Sequence, residues 1–143
     1  MAEGDITFYN NYKEALMNGA APDLDTDTIK VALVTAHTPD IDAHDFFDDV
    51  SGDEVSGTGY TAGGEALGSK SVTQDNVDDE GVFDAADVTW TGLDVGTPSH
   101  AIIYEDTGTP GTSTLIAYME ISTASNGGNY TIQWAAEGII NIN

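Results

Sequence analysis

This sequence predicts a mainly β, antiparallel fold with one short helix near its start, and three observations predict it. Runs rich in β-branched and aromatic residues recur along most of the chain, at the length of a strand rather than a helix. Clusters of glycine, proline, asparagine and threonine separate those runs, as turns between antiparallel strands require. Clear helical periodicity with an amphipathic face is confined to the N-terminal segment. A β-sandwich, a jelly-roll-like pair of sheets or a partly closed barrel satisfies all three.

The elements follow in order. Thr7 to Asn18 reads as a helix, because Phe8, Tyr12, Ala15 and Leu16 fall on one face. Gly19 is its natural stop, and Pro22 prevents resumption. Ile29 to Thr35 (IKVALVT) is apolar on both faces and β-branched, the pattern of a central buried strand. Asp40 to Val50 is expected to form a short helix, capped by aspartate, anchored by Phe46, Phe47 and Val50, and ended by Gly52. Ser56 to Gly68 holds five glycines and is expected to be an extended loop or bulged strand. Strands are then expected over Ser71–Val77, Val82–Trp90, His100–Glu105, Thr114–Ile121, Tyr130–Trp134 and Ile139–Ile142. The loops Thr107–Thr112 (TGTPGT) and Ser125–Asn129 (SNGGN) join them. No repeat of 20–50 residues is visible. A chain of 143 residues suits one domain with one core, spanning 1–143, in which residues 1–28 form a helical N-terminal arm.

Charge narrows the function classes. Twenty-five acidic residues face three lysines (Lys13, Lys30, Lys70) and no arginine, for a formal charge of −22. Phosphate backbones are bound by displacing counterions with Lys and Arg, so nucleic acids and anionic membranes are excluded as partners. A charge of this size also drives self-repulsion within the folded state, which molar salt, with a Debye length of about 3 Å, largely screens. Adaptation to a salty medium is the expectation. The chain has no cysteine, so disulfides, thiolate chemistry and Cys-based zinc sites are excluded. Met1 to Asp5 shows neither the basic nor the apolar region of a signal peptide, and no run reaches the ~18 apolar residues that span a bilayer.

No chemistry-bearing motif stands out. Asp23, Asp25 and Asp27 have the spacing that opens an EF-hand loop, but Thr28 stands where its glycine belongs and Val34 where its glutamate belongs. Asp40, Asp42 and Asp45, with Asp48 and Asp49, are weak candidates for holding a hard structural cation, as are Asp75, Asp78, Asp79 and Glu80; solvated surface charge is the expected reading of both. His37, His44 and His100 form no i, i+4 pair and no H-E-x-x-H, so they read as structural or surface side chains. G-x-S-x-G is absent, and Gly57–Gly63 lacks the lysine and the strand–helix frame of a phosphate loop. No catalytic residue and no cofactor are expected, and the chain reads as a non-enzyme. Asn129-Tyr130-Thr131 is a glycosylation sequon that reads equally as a turn into a strand.

The run IKVALVTAHTPDIDAHDFFDDVSGDEVSGTGYTAGGEAL, followed by HAIIYEDTGTPGTSTLIAYMEI and TIQWAAEGIINI, resembles small structural proteins of tailed viruses of bacteria and archaea, in particular head decoration or cement proteins. The resemblance covers most of the chain from Ile29 onward and contains no catalytic signature. It implies an all-β module on the capsid exterior, with the major capsid protein and its own copies, most often as a homotrimer, for partners. Some relatives are tail or baseplate components, which is the alternative it leaves. A carbohydrate-binding module or small hydrolase is the alternative of another class, and an exposed Trp90 or Trp134 offering a stacking platform would favour it. Phe8, Tyr9, Tyr12, Leu16 and Met17 are the candidate interface residues, since aromatic and Met side chains are favoured at interface centres; core packing is their competing role.

Overall fold

The computed structural model describes residues 5–143, so most of the stretch read for a signal peptide lies outside it. The fold is mainly β, antiparallel throughout its described sheets, and sandwich-like rather than a closed barrel. Ten strands run in chain order: β1 (Thr7–Phe8), β2 (Ile29–Val34), β3 (Glu65–Ala66), β4 (Ser71–Asp75), β5 (Glu80–Asp84), β6 (Val88–Trp90), β7 (His100–Glu105), β8 (Leu115–Glu120), β9 (Tyr130–Ile132) and β10 (Ile140–Ile142). One helix, α1 (Asn10–Asn18), follows β1. The principal sheet has the order β1-β8-β7-β2-β3; a three-stranded sheet has the order β10-β5-β4; β6 and β9 pair alone.

β2 and β7 are the hydrophobic heart. They pair in full register from Ile29↔Glu105 to Val34↔His100. Both faces of this pair are covered, as its unbroken apolar runs require. Ile29, Val31, Leu33, Ala101 and Ile103 point to the larger core cluster, with Phe83, Val88, Trp90, Ile132 and Ile140 from the smaller sheets. Ala32, Val34, Ile102 and Tyr104 point the other way, against Tyr9, Phe47 and Val50. The larger cluster draws on residues from Tyr12 to Ile140.

β8 departs from simple alternation. The β7–β8 register shifts between Ile103 and Tyr104, which pair with Ala117 and Leu115 and leave Ile116 extra. This bulge sends Leu115 to one core face and both Ile116 and Ala117 to the other, so a strand expected to alternate buries consecutive residues.

Three expectations need correction. Thr7 and Phe8 are strand, paired with Tyr118 and Ala117, so the helix starts at Asn10. Its end is as expected: Gly19 adopts φ 80° and its N–H bonds Ala15 O. Residues 5–28 are accordingly not a separate arm, because β1 belongs to the principal sheet and Tyr9 and Tyr12 are buried. The helix expected over Asp40 to Val50 is a turn followed by 3₁₀ segments, Phe47–Asp49 and Ser51–Asp53. The aspartates do cap: Asp40 Oδ1 accepts from Asp42 N and Ala43 N, and Asp49 Oδ2 from Asp45 N and Phe46 N. Capping at such short intervals fixes turns rather than letting a helix propagate. Finally, Val82 to Trp90 is two strands of different sheets, parted at Ala85–Asp87, where Ala86 N bonds Gly68 O.

Candidate functional site

The five N-terminal candidates for an interface divide in two. Tyr9 and Tyr12 are core residues, 0% and 1% exposed, and burial pushes the Tyr12 phenol up to about 12. They are unavailable as a contact surface on the folded chain. Phe8 is half-buried and stacks on Tyr12, with ring centroids 5.7 Å apart. Only Leu16 and Met17 are open, Met17 at 84% exposure. Both lie at the C-terminal end of α1, away from the strand pairing that anchors its start.

The aspartates first weighed for a cation do not converge. Asp40 caps its own turn, Asp42 Oδ1 accepts from Asn10 Nδ2, and the Asp45 carbonyl receives Leu115 N and Asn11 Nδ2. The cluster that does gather is Asp75, Asp78 and Glu80, in the β4–β5 hairpin, with oxygens within 4.8 Å of one another. Asp75 Oδ1 there already accepts Val77 N and Asp78 N, so turn chemistry accounts for its placement.

The glycine-rich stretch is architectural. At Gly64 (φ +79°) a Cβ would stand 1.9 Å from Val31 O, and at Gly59 (φ +81°) 2.5 Å from Gly92 O. Glycine is required because the loop lies directly on the backbone of β2 and of the 91–92 turn. Tyr60 pins it: its hydroxyl donates to Glu54 Oε1 at 2.6 Å and accepts Leu33 N–H at 3.1 Å. Glu54 Oε1 also accepts Gly63 N, and Tyr104 donates to Gly63 O at 2.7 Å. Burial, then the bond to Glu54, drives the Tyr60 phenol far above its ordinary range. Beside this clasp lies a cleft of about 290 Å³ containing Lys30 and Asp106, paired at 2.7 Å. The Lys30 bond, then Gly108 N–H, holds the Asp106 carboxyl below its usual value. Each of these groups already has its partner within the fold.

Sequence spacing gave no hint that the three histidines meet, yet they do. His37 stacks on His44 at 5.5 Å between ring centroids and meets His100 edge-on at 6.0 Å. His37 and His44 come from the loop after β2, and His100 opens β7. Three-dimensional proximity of β2's end to β7's start, set by the Val34↔His100 pairing, is what assembles them. His37 Nδ1 lies 2.8 Å from Asp53 Oδ2, and His100 Nδ1 lies 3.0 Å from Ser99 Oγ. These are the residue types of a nucleophilic relay, but the acid sits on one imidazole and the hydroxyl on another. Ser99 Oγ also reaches Val34 O at 3.3 Å.

Both tryptophans are buried: Trp90 is 0% exposed and Trp134 8%, with Trp134 Nε1 donating to Ala86 O. The stacking platform that would favour a carbohydrate-binding module is therefore missing from these two residues. No helix among the described residues is long and apolar enough to cross a membrane.

Comparison with protein-family models, curated proteins and solved structures gives no match for this chain.

Proposed function

We propose that this protein is a capsid decoration protein of a tailed virus from a salt-rich environment. It binds the major capsid protein on the outer face of the head, associates with its own copies as a trimer, and catalyses no reaction. The reading rests on the resemblance expected from the sequence, and the observation that supports it is what the residues from Ile29 onward do here: they build a rigid antiparallel β module. The G-T-G-Y-x-x-G-G run and Glu54 clasp the loop to β2, and the T-G-T-P-G-T turn closes the β7–β8 hairpin; neither presents reactive groups. A cement protein needs a rigid module and a docking face, and no chemistry. Leu16 and Met17 are the part of the expected interface that the fold leaves open. A charge of −22 keeps the rest of the surface solvated and repels nucleic acid released from damaged heads. Repetition supplies strength, since a trimer engaging three equivalent positions gains avidity from modest contacts.

The test is reconstitution. Purified protein is mixed, in molar salt, with undecorated heads of the virus that encodes it, and the particles are imaged by electron cryo-microscopy. Regular density on the head exterior, weakened at least tenfold in occupancy affinity by a Leu16→Glu/Met17→Glu double variant, is expected. Density on tails, or no bound protein, overturns the proposal.

A further inference from the structure

His37 carries an unsatisfied group that the decoration reading does not use. Its side chain is 2% exposed, and its Nε2 is buried without a hydrogen-bond partner. The tautomer follows from its surroundings. Asp53 offers only acceptor oxygens, so Nδ1 bears hydrogen, and in the neutral ring Nε2 presents a bare lone pair. His100 is held at the same atom: its Nδ1 lies 3.0 Å from Ser99 Oγ, which leaves Nε2 as its unengaged ring nitrogen. Two neighbouring imidazoles are thus each held by a polar partner at Nδ1 with Nε2 unengaged, as in the arrangement that orients metal-ligating histidines.

We propose that His37 and His100 form a binding site for a borderline divalent transition-metal ion such as Zn²⁺, Co²⁺ or Ni²⁺, ligated through the two Nε2 atoms. Imidazole nitrogen bonds Zn²⁺ at about 2.0–2.1 Å, which puts two ring centroids on one tetrahedral ion at roughly 5.2 Å. The observed centroid separation of 6.0 Å lies within about 1 Å of that value. His44 stacks over His37 with its Nδ1 accepting Asp40 N–H at 3.2 Å; its other nitrogen bears the proton, so it covers the site rather than ligating it. Entry is open on the His100 side, where an exposed groove of about 550 Å³ is lined by Asp5, Ser99, His100, Tyr118 and Glu120. Its two carboxylates draw cations in, and water completes the coordination.

Chelator-stripped protein in 1 M NaCl is titrated with Zn²⁺ by calorimetry, and with Co²⁺ while imidazole resonances are followed by NMR. One equivalent is expected to bind. Co²⁺ should broaden the His37 and His100 ring signals first, and His100→Gln should weaken binding tenfold or more. An Asp75→Asn/Asp78→Asn variant should bind as the parent does. Absence of binding, unchanged affinity in His100→Gln, or broadening centred on Asp75 and Asp78 would each overturn the assignment. The ring-broadening map is read on the unmodified chain, so it stands even if a histidine variant folds poorly.

Discussion

Substituting Gly64 with alanine tests whether the glycine-rich stretch is a clasp or a binding loop. The residue sits at φ +79°, where an L side chain costs about 1–2 kcal/mol. Its new Cβ would also stand 1.9 Å from Val31 O and 2.8 Å from Ala32 Cα. Those atoms belong to β2, which is hydrogen-bonded to strands on both sides and cannot retreat. Displacing packed backbone adds about 1–3 kcal/mol, so a total loss near 2–5 kcal/mol follows. Gly63→Ala (φ +94°) meets only the ends of two side chains, Tyr104 Oη at 3.3 Å and Lys30 Nζ at 3.8 Å, so it should lose about 1–2 kcal/mol, chiefly from backbone strain. Gly52→Ala meets nothing within 4 Å at an ordinary φ and should be neutral. Thermal unfolding by circular dichroism in molar salt reads all three. At about 3 °C per kcal/mol, the expected order is a drop of roughly 6–15 °C, then 3–6 °C, then none. Equal melting temperatures for Gly64→Ala and Gly52→Ala would refute the argument that contact with β2 dictates this glycine.

Other outcomes follow from charge and burial. The Asp106 carboxyl is held low by Lys30, so its contribution is present above the unfolded-state carboxylate pKa and lost as pH falls through the lower folded value. Asp106→Asn should cost under about 1 kcal/mol at pH 7 and flatten part of the acid limb of the stability–pH curve. Glu105 has the opposite sign: burial, then Asp27, raises its carboxyl, so Glu105→Gln should raise the melting temperature slightly at pH 7 and not at pH 3. Light scattering with circular dichroism across a salt series should give an ordered trimer at 1–2 M NaCl and loss of order below roughly 0.1 M, where the Debye length reaches about 10 Å; a folded monomer throughout would defeat that expectation. Tryptophan emission should be blue-shifted and resist iodide quenching, since both indoles are buried.

Strand positions were most legible where one property dominated. Ile29–Val34 and His100–Glu105 are continuous β-branched or apolar runs, and a strand buried on both faces has no other appearance. Thr7 and Phe8 were misread because Phe8 and Tyr12 have helical spacing in either conformation; only pairing with β8 decides the matter. Asp40–Val50 had a helix's cap and anchors, but the Asp40 and Asp49 carboxylates were spent on their own turns. Of the interface candidates, hydrophobicity alone could not separate Tyr9, buried, from Met17, open, since both suit a core and a contact equally well. The histidine cluster was invisible because loop residues at 37 and 44 reach residue 100 only through the β2–β7 register.

The principal sheet is bordered by fragments. On one side, Thr7–Tyr9 and then Asp45–Phe47 satisfy β8 in succession, through the Tyr118 and Ala117 pairings, Tyr9 N to Ile116 O, Leu115 N to Asp45 O, and Phe47 N to Ser113 O. On the other, Leu67, Glu65–Ala66, Val55 and Asp53 do the same for β2 and its continuation at Thr35. Neither border offers a long straight ladder on which a neighbouring chain could template itself. Copies crowded at high local concentration can thus stay discrete units, because the most hydrophobic part of the molecule has no margin from which a fibril could grow.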